Sequence, residues 1–464
     1  MLSNLEIEPA ANYTLCADFG STYTKLTAVD PAKREIIATS KAFTTISTHI
    51  LEGFNNALAE LESKIGKHSY SKFLAASSAA GGLKMVAVGL VPSLTANAAK
   101  MAASSAGAKL IATYSYELSQ SEVAAIEAAK PDIILLSGGI DGGNKDVICH
   151  NAEMIAGLTH EVPVIIAGNK SVAEQVRQIL ISGGKQAIIV ENVMPRFGEL
   201  NIMPAKSAIR DLFISNIISA KGLDDAQAMV SGEIVPTPLA VFEACELLST
   251  AGPLVAVDVG GATTDVYSMT DGAPTLPNTF EKGLKEPFAK RSVEGDLGVR
   301  YSIPSLVSEA GLTKIAQGCG LSEEMVEDWL TICQSDTSTV AESGTMGATI
   351  DDELAASCVE ISMLRHAGTL ESVYTPMGEM MIQTGKDLGD VEFLIGSGGS
   401  VINSPNAEQI LQRALASPIA PFSLKPRAPR IIIDSQNILT AMGLLSRVDK
   451  DAALAIMKHS FGLS

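Results

Sequence analysis

Apolar positions along this chain come in short runs punctuated by glycine and small hydroxyl residues, and the clearest run occurs twice. In LCADFGSTYTKLTAVD (15–30) an apolar run ends on Asp-x-Gly, passes through Ser and Thr, and resumes as a second β-rich run. VAVDVGGATTDVYSMT (255–270) repeats it, with Asp18 matched to Asp258, Gly20 to Gly260 and Thr24 to Thr264 at one constant spacing. Each copy predicts a β-hairpin whose turn is too rich in glycine for side chains to cover. Two copies so far apart predict a duplicated, two-lobed α/β molecule.

Between the copies, KLIATYSYE, PDIILLSGG, VPVIIAG and QAIIVENV are apolar runs of strand character. They alternate with SQSEVAAIEAAK, NKDVICHNAEMIA and KSVAEQVRQIL, which have helical period and N-cap residues in Ser119 or Ser121, Asn144 and Ser171. This is βαβ material with a parallel sheet, expected as an α/β unit inserted at about 80–195 in a first lobe spanning 1–250. The second lobe spans 251–464. Residues 271–387 read as mostly helical, an insertion at about 285–390, followed by a strand and Gly-rich turn in FLIGSGGSVINSP (393–405). RIIIDSQNILTAMGLL (430–445) is a last strand and a small-residue helix.

Composition narrows the classes. Of 464 residues 46% are hydrophobic and 19% charged, enough apolar material for a sizeable core. A net charge of −18 argues against nucleic acid or an anionic membrane as the main partner. No stretch approaches the roughly 20 apolar residues of a membrane span, and Glu6 and Glu8 stand where a signal peptide needs basic residues. Cysteines 16, 149, 245, 319, 333 and 358 form no CxxC pair, so reduced thiols and a cytoplasmic location are expected. The histidines show neither HxH nor HExxH spacing, which leaves a histidine metal cluster or a Ser-His-Asp nucleophile without support.

The hairpins carry the candidate chemistry. A turn built from Gly20, Ser21 and Thr22 exposes backbone N–H groups and hydroxyls, the donors that phosphate oxygens need. A carboxylate beside it, Asp18, makes sense if it holds a hydrated Mg²⁺. Asp258, Gly260, Gly261, Thr263 and Thr264 offer the same set again, so two turns are expected to grip a polyphosphate. Gly396, Gly398 and Gly399 let backbone approach a flat adenine or ribose closely. Each feature alone is ordinary loop geometry; their order along the chain is the informative part.

That order resembles the actin, sugar kinase and Hsp70 ATPase superfamily, with four of its five motifs clear. Within it, DFGSTYTKLTAVD, LSGGIDGGN (136–144), ENVMP (191–195), VDVGGATTDVYS, VEGDLGVR (293–300) and IGSGGSVI are similar to the glutamate mutase-associated protein L family (MutL or GlmL, unrelated to the mismatch-repair MutL). The resemblance implies duplicated RNase H-like domains, an ATP and Mg²⁺ requirement, slow ATP hydrolysis coupled to conformational change, and a role as reactivating chaperone for an adenosylcobalamin-dependent mutase. It implies that Asp18 and Asp258 position Mg²⁺ and the attacking water. Gly20, Ser21 and Thr22 would then hold one face of the phosphates, and Gly260, Gly261, Thr263 and Thr264 the other, with Gly396, Gly398 and Gly399 against the adenosine.

Lys25 reads either as a phosphate contact or as a side chain pointing away on the hairpin's outer strand. Glu191 is the candidate for the residue that polarises water, although ENVMP departs from the Hsp70-like pattern. Arg300 and Lys290 fall where related ATPases have a helix against the base, or else on a solvated helix face. Residues 434–443 resemble the last connecting motif, a hinge where small residues let helices cross closely. Asp141-Gly142-Gly143 is either a ligand turn or simply a tight turn.

Other classes stay open beside the ATPase switch: a small-molecule kinase of the same fold, or an actin-like scaffold. The chain lacks Asp-x-His-x-x-Gly, with which many cobalamin mutases ligate cobalt, so the mutase is expected as a partner and not as this chain. The activator ATPases of radical dehydratases normally carry cluster-ligating cysteines, and the scattered thiols count against that class. A homodimer stays open.

Overall fold

The computed structural model describes residues 13–20, 23–45, 49–78, 84–91, 98, 102, 109–218, 223–283, 285–375 and 378–463. It divides into two compact units: Met1–Ala244 with Leu439–Met457, and Cys245–Ile438 with Lys458–Ser464. Residues 439–457 thus group with the first unit although the second unit precedes them in sequence.

The first unit is built on β1 (Tyr13–Phe19), β2 (Tyr23–Asp30), β3 (Glu35–Phe43) and β4 (Tyr70–Ser77). The chain then leaves the sheet to form β5 (Lys84–Gly89), β6 (Lys109–Ser115), β7 (Ile133–Leu136), β8 (Val164–Ile166) and β9 (Ala187–Ile189). It returns as β10 (Val235–Pro236). The main sheet has the order β10-β4-β1-β2-β3, with β1, β2 and β3 antiparallel neighbours and β4 and β10 parallel to β1. One face is covered by the helix Ile50–Ile65, started by His49 and stopped at Gly66, whose φ of 81° suits glycine. Its Ile50, Phe54, Ala57 and Leu61 pack on Leu15, Ala17, Phe19, Leu26 and Ala28. Burying a side chain such as Phe54 contributes about 1.5–3 kcal/mol.

The inserted strands form a fully parallel sheet of order β6-β5-β7-β8-β9. Its inner strands β5, β7 and β8 are buried apolar runs, as expected where both faces are covered, while the edge strands β6 and β9 are more exposed. Ser119 starts the helix Gln120–Ala129 with a complete capping box.

The second unit repeats the main sheet. Its strands are β11 (Leu254–Val259), β12 (Thr264–Met269), β13 (Thr279–Lys282), β14 (Ala289–Glu294), β15 (Thr369–Thr375), β16 (Gly378–Thr384), β17 (Phe393–Ser397) and β18 (Arg430–Ile433). The order β14-β12-β11-β17-β18 has the same antiparallel and parallel pairings as the first sheet. The helix Met346–His366, capped by Thr345, buries Ile350, Leu354, Cys358 and Val359 in the cluster that holds Val255, Val257, Val259 and Val266.

Residues 271–387, expected as mostly helical, are helical only over part of their length. They also hold β14 and a three-stranded sheet, β13-β16-β15. These strands are short and largely exposed, so no two-residue apolar alternation marks them in sequence. No helix among the described residues is long and apolar enough to cross a membrane.

Candidate functional site

In the first hairpin, Asp18 pairs across the ladder with Lys25 and Phe19 with Thr24. Directly opposed residues share a face of the sheet, so Lys25 lies on the side of Asp18 and does not point away from it. The loop closes through Gly20 N–H to the Tyr23 carbonyl, 3.1 Å. A Cβ on Gly20 would sit 2.5 Å from that oxygen, so the position requires glycine. Ser21 and Thr22 lie outside the described residues. Thr24 is fully buried and its hydroxyl meets that of Thr44 at 3.0 Å.

Asp18 is buried and accepts a 2.6 Å hydrogen bond at Oδ1 from the hydroxyl of Thr237. Burial pushes its carboxyl pKa up; Lys25 and the Thr237 bond oppose this without cancelling it. Thr237 reaches Asp18 because β4 carries Ala76 beside Asp18, and β10 carries Val235 beside Ala76. The residue after β10 therefore lies at the same end of the sheet. Pro238 then opens the helix Thr237–Leu248. Sequence reasoning missed Thr237, although the run IVPTPLAVFEA holds the signal of a strand end and a proline-started helix. Thr237→Val should cost about 1.5–3 kcal/mol, the worth of a hydrogen bond to a charged group. Urea unfolding at pH 7 measures it.

The second hairpin closes alike, Gly260 N–H to the Thr263 carbonyl at 2.9 Å. Asp258 faces Asp265 across the ladder. Asp265 sits opposite a buried guanidinium: Arg291 on β14 reaches its Oδ1 through Nη2 at 2.6 Å and Nε at 2.8 Å. Thr263 donates to Asp265 Oδ2 at 3.4 Å. Thr264 is fully buried and gives its hydroxyl to the Leu297 carbonyl, so it braces the loop from inside. The loop carbonyls are held by the following segment: Gly260 O by Val299 N–H, Gly261 O by Arg300 and Tyr301 N–H, and Ala262 O by the Ser302 hydroxyl. Loop carbonyls are thus occupied while the loop faces out with its remaining backbone.

Arg300 does not lie on a solvated helix face, since residue 300 is in a bend beyond β14 and its guanidinium is engaged. It forms a two-pronged pair with Asp351, at 3.0 and 2.5 Å, and donates to the Thr339 carbonyl. Lys290 lies on β14, where its Nζ contacts Glu286 at 2.7 Å and the His366 carbonyl at 2.9 Å.

Gly396 and Ser397, on β17, lie beside Val257 and Asp258. A side chain at Gly396 would strike Leu411 at 2.4 Å. Gly398 has φ +88°, and a Cβ there would lie 2.3 Å from the Val259 carbonyl and 2.6 Å from Asp258 Oδ1. Gly398 thus lets the turn close on the hairpin, and Gly396 makes room for Leu411. Gly399 has nothing nearer than 3.7 Å and opens the helix Gly399–Ile402.

Asp434, the first residue beyond β18, corresponds in the second unit to Thr237 in the first. It is fully buried, donates its N–H to the Gly396 carbonyl and accepts from Ile438 N–H at 2.8 Å. Gly443 lies so close to the helix Thr237–Leu248 that a Cβ would fall 1.8 Å from the Ala240 carbonyl. This is the close helix crossing that the small residues of 434–443 suggest.

Glu191 follows β9 in the inserted sheet, is exposed, and accepts from Asn201 at 2.8 Å. The Asp141 turn is tied internally. Asp141 accepts from Lys170 N–H and from Asn192, and these bonds hold its pKa down against the effect of burial. Fully buried Asn169 spends its amide on Gly142, Gly143, Asn144 and Ser171.

Two sheets of one topology, each with an Asp-x-Gly hairpin on its central strand, make a duplicated α/β fold of the class that the sequence resemblance implies. Within that class the chain matches the MutL protein family over residues 14–461. It is 44% identical over 453 residues to Protein MutL of Clostridium tetanomorphum, covering 96% of this chain and 98% of the relative. The chain belongs to the MutL protein family. Solved structures are similar at lower identity. Nucleotide-free acetone carboxylase has 12% identity and TM-score 0.38, over 94% of this chain and 70% of that one. Component A of Acidaminococcus fermentans (R)-2-hydroxyglutaryl-CoA dehydratase has 11% and 0.32, over 95% and 99%.

Proposed function

We propose that the chain binds and hydrolyses MgATP as a conformational switch and serves as a reactivating chaperone for an adenosylcobalamin-dependent mutase such as glutamate mutase. The observation that carries this reading is one device built twice: an aspartate at the end of a central strand, followed by a glycine-closed loop. Membership of the MutL family supports the partner class.

In this reading Asp18 and Asp258 hold the water shell of Mg²⁺. The chain fits such a cation at Asp18, because burial disfavours the lone carboxylate and Thr237 engages only Oδ1. Bound Mg²⁺ supplies charge that screens the phosphates. Gly20, Ser21 and Thr22, and Gly260, Gly261 and Thr263, offer backbone and hydroxyl donors to phosphate oxygens. Lys25 adds a cation on the face of Asp18, Thr264 holds its loop in shape, and Gly399 leaves room for the adenosine. Thr237, acting through Asp18, is better connected to the first hairpin than Glu191 is to any described phosphate-binding residue. Nucleotide-dependent closure would then be read by the partner.

MgATP hydrolysis by the pure chain, alone and with an adenosylcobalamin mutase, tests this. Turnover stimulated by the mutase is expected. Turnover that ignores the mutase would sink the chaperone assignment, and the absence of nucleotide binding would sink the whole reading.

A further inference from the structure

In the second unit a small, partly open cavity of about 20 Å³ lies at the far end of β12 from the hairpin, lined by Asp271, Lys282, Lys285, Glu286, Gln383 and Lys386 among others. Five strand steps separate Thr264 from Met269, roughly 17 Å at the usual rise, so this cavity is distinct from the hairpin. Lys386 is 1% exposed. Its Nζ donates to the Phe288 carbonyl at 2.6 Å, with the Ser268 carbonyl at 3.5 Å. Its stem is gripped by Gly272, where a Cβ would lie 2.6 Å from Lys386 Cγ, so the amine is held in place. Gln383, also 1% exposed, lines the same cavity with an Oε1 that has no partner among the described residues.

A buried lysine normally faces a carboxylate, but both contacts recorded for the Lys386 amine are to neutral carbonyls. Burial, assisted by Lys290, brings its pKa down to about 7 against the opposing pull of Glu286 and Asp271. At neutral pH much of it is a free amine with a nucleophilic lone pair. The cavity mixes acidic and basic groups, so it favours a small neutral electrophile over an anion.

We propose that Lys386 is a carbamylation site that takes carbon dioxide. The Nζ lone pair forms a bond to carbon, one C=O π pair moves onto oxygen, and Nζ releases a proton to water, for which Gln383 Oε1 provides an anchor. No electrons are transferred and the only co-reactant is dissolved carbon dioxide. The product keeps one N–H for the Phe288 carbonyl and presents a carboxylate to the ammonium groups of Lys282 and Lys285 at the cavity mouth. The site thereby gains a negative charge where the parent carries a largely neutral amine.

The experiment equilibrates the full chain with ¹³C-bicarbonate between pH 6 and 9, traps carbamates with a trialkyloxonium salt, and maps the adducts by peptide mass spectrometry. At pH 7.5 an amine titrating near 7 is unprotonated roughly 600-fold more often than an ordinary lysine. Labelled adduct on the Lys386 peptide is therefore expected at about that excess over exposed lysines such as Lys67. It should be absent from Lys386→Arg, whose melting transition reports folding. Mapping on the parent chain needs no variant: no adduct at Lys386, or an amount equal to that on exposed lysines, overturns the proposal.

Discussion

Replacing Asp258 or Asp18 by asparagine is expected to lower MgATP turnover by about 100- to 1000-fold, equivalent to about 3–4 kcal/mol of transition-state stabilisation. Asparagine keeps the shape and can still accept from Thr237, so the loss isolates the charge. Stability should move the other way for Asp18→Asn. Burial raises the carboxyl pKa in the folded state. A carboxyl with a raised folded pKa favours folding while protonated, and that contribution is lost as pH climbs from the unfolded value of about 3.9 through the folded one. At pH 7 the parent therefore carries the cost of a buried carboxylate that the asparagine variant lacks. Melting temperature should be equal or higher in the variant at pH 7, and the gap should close below the unfolded pKa. A variant that loses turnover because it unfolds would contradict this. Unchanged turnover in both variants would remove the carboxylates from the reaction.

The hairpins are legible in sequence because everything that makes them lies within sixteen residues: an apolar run, an aspartate, a glycine and a second run. The repeat of that unit at Asp18 and Asp258 also exposes the duplication, and the shared sheet order β10-β4-β1-β2-β3 and β14-β12-β11-β17-β18 follows it. The inserted strands β6 to β9 are plain as well, with β7 and β8 buried apolar runs; β5, Lys84–Gly89, is not, because its short run 85–88 lies in an Ala-rich stretch. Thr237 is not legible in the same way. It meets Asp18 across 219 residues, after the chain has built the entire inserted sheet and come back. Composition at Thr237 says only that a helix begins. Thr264 reads like a phosphate ligand because it sits in the motif, yet strand alternation turns it inward to Leu297. Glycines hide a similar ambiguity: Gly396 and Gly398 are required by Leu411, Val259 and Asp258, while Gly399 has open space. Sequence shows the absence of a side chain but not what occupies the room.

Arg291 is a residue that no motif announces, and its removal should have the largest effect on stability. Its counterpart arrangement in the first unit is simple: Asp18 faces Lys25, opposite charges on opposed positions. The second hairpin places Asp265 where Lys25 stands, so two carboxylates, Asp258 and Asp265, face each other. Like charges directly opposed destabilise a ladder. The second unit solves this with Arg291, buried beneath Tyr267 with its guanidinium 5.9 Å from the ring centre. Burial works to lower the Arg291 pKa, but the charge of Asp265 together with Tyr267 and the hydrogen bonds to both outweighs it and keeps the guanidinium ionised. Arg291→Met should cost about 3–5 kcal/mol, the usual result of stranding one member of a buried pair. Adding Asp265→Asn should recover much of that loss, because no uncompensated charge is then left, and a urea-unfolding double-mutant cycle reads the coupling directly. Arg291→Met should also weaken turnover, because it leaves the charge of Asp265 unneutralised across the ladder from Asp258. The double variant should restore that as well. Additive losses, with no recovery in the double variant, would mean that Arg291 serves the fold only by filling space beneath Tyr267.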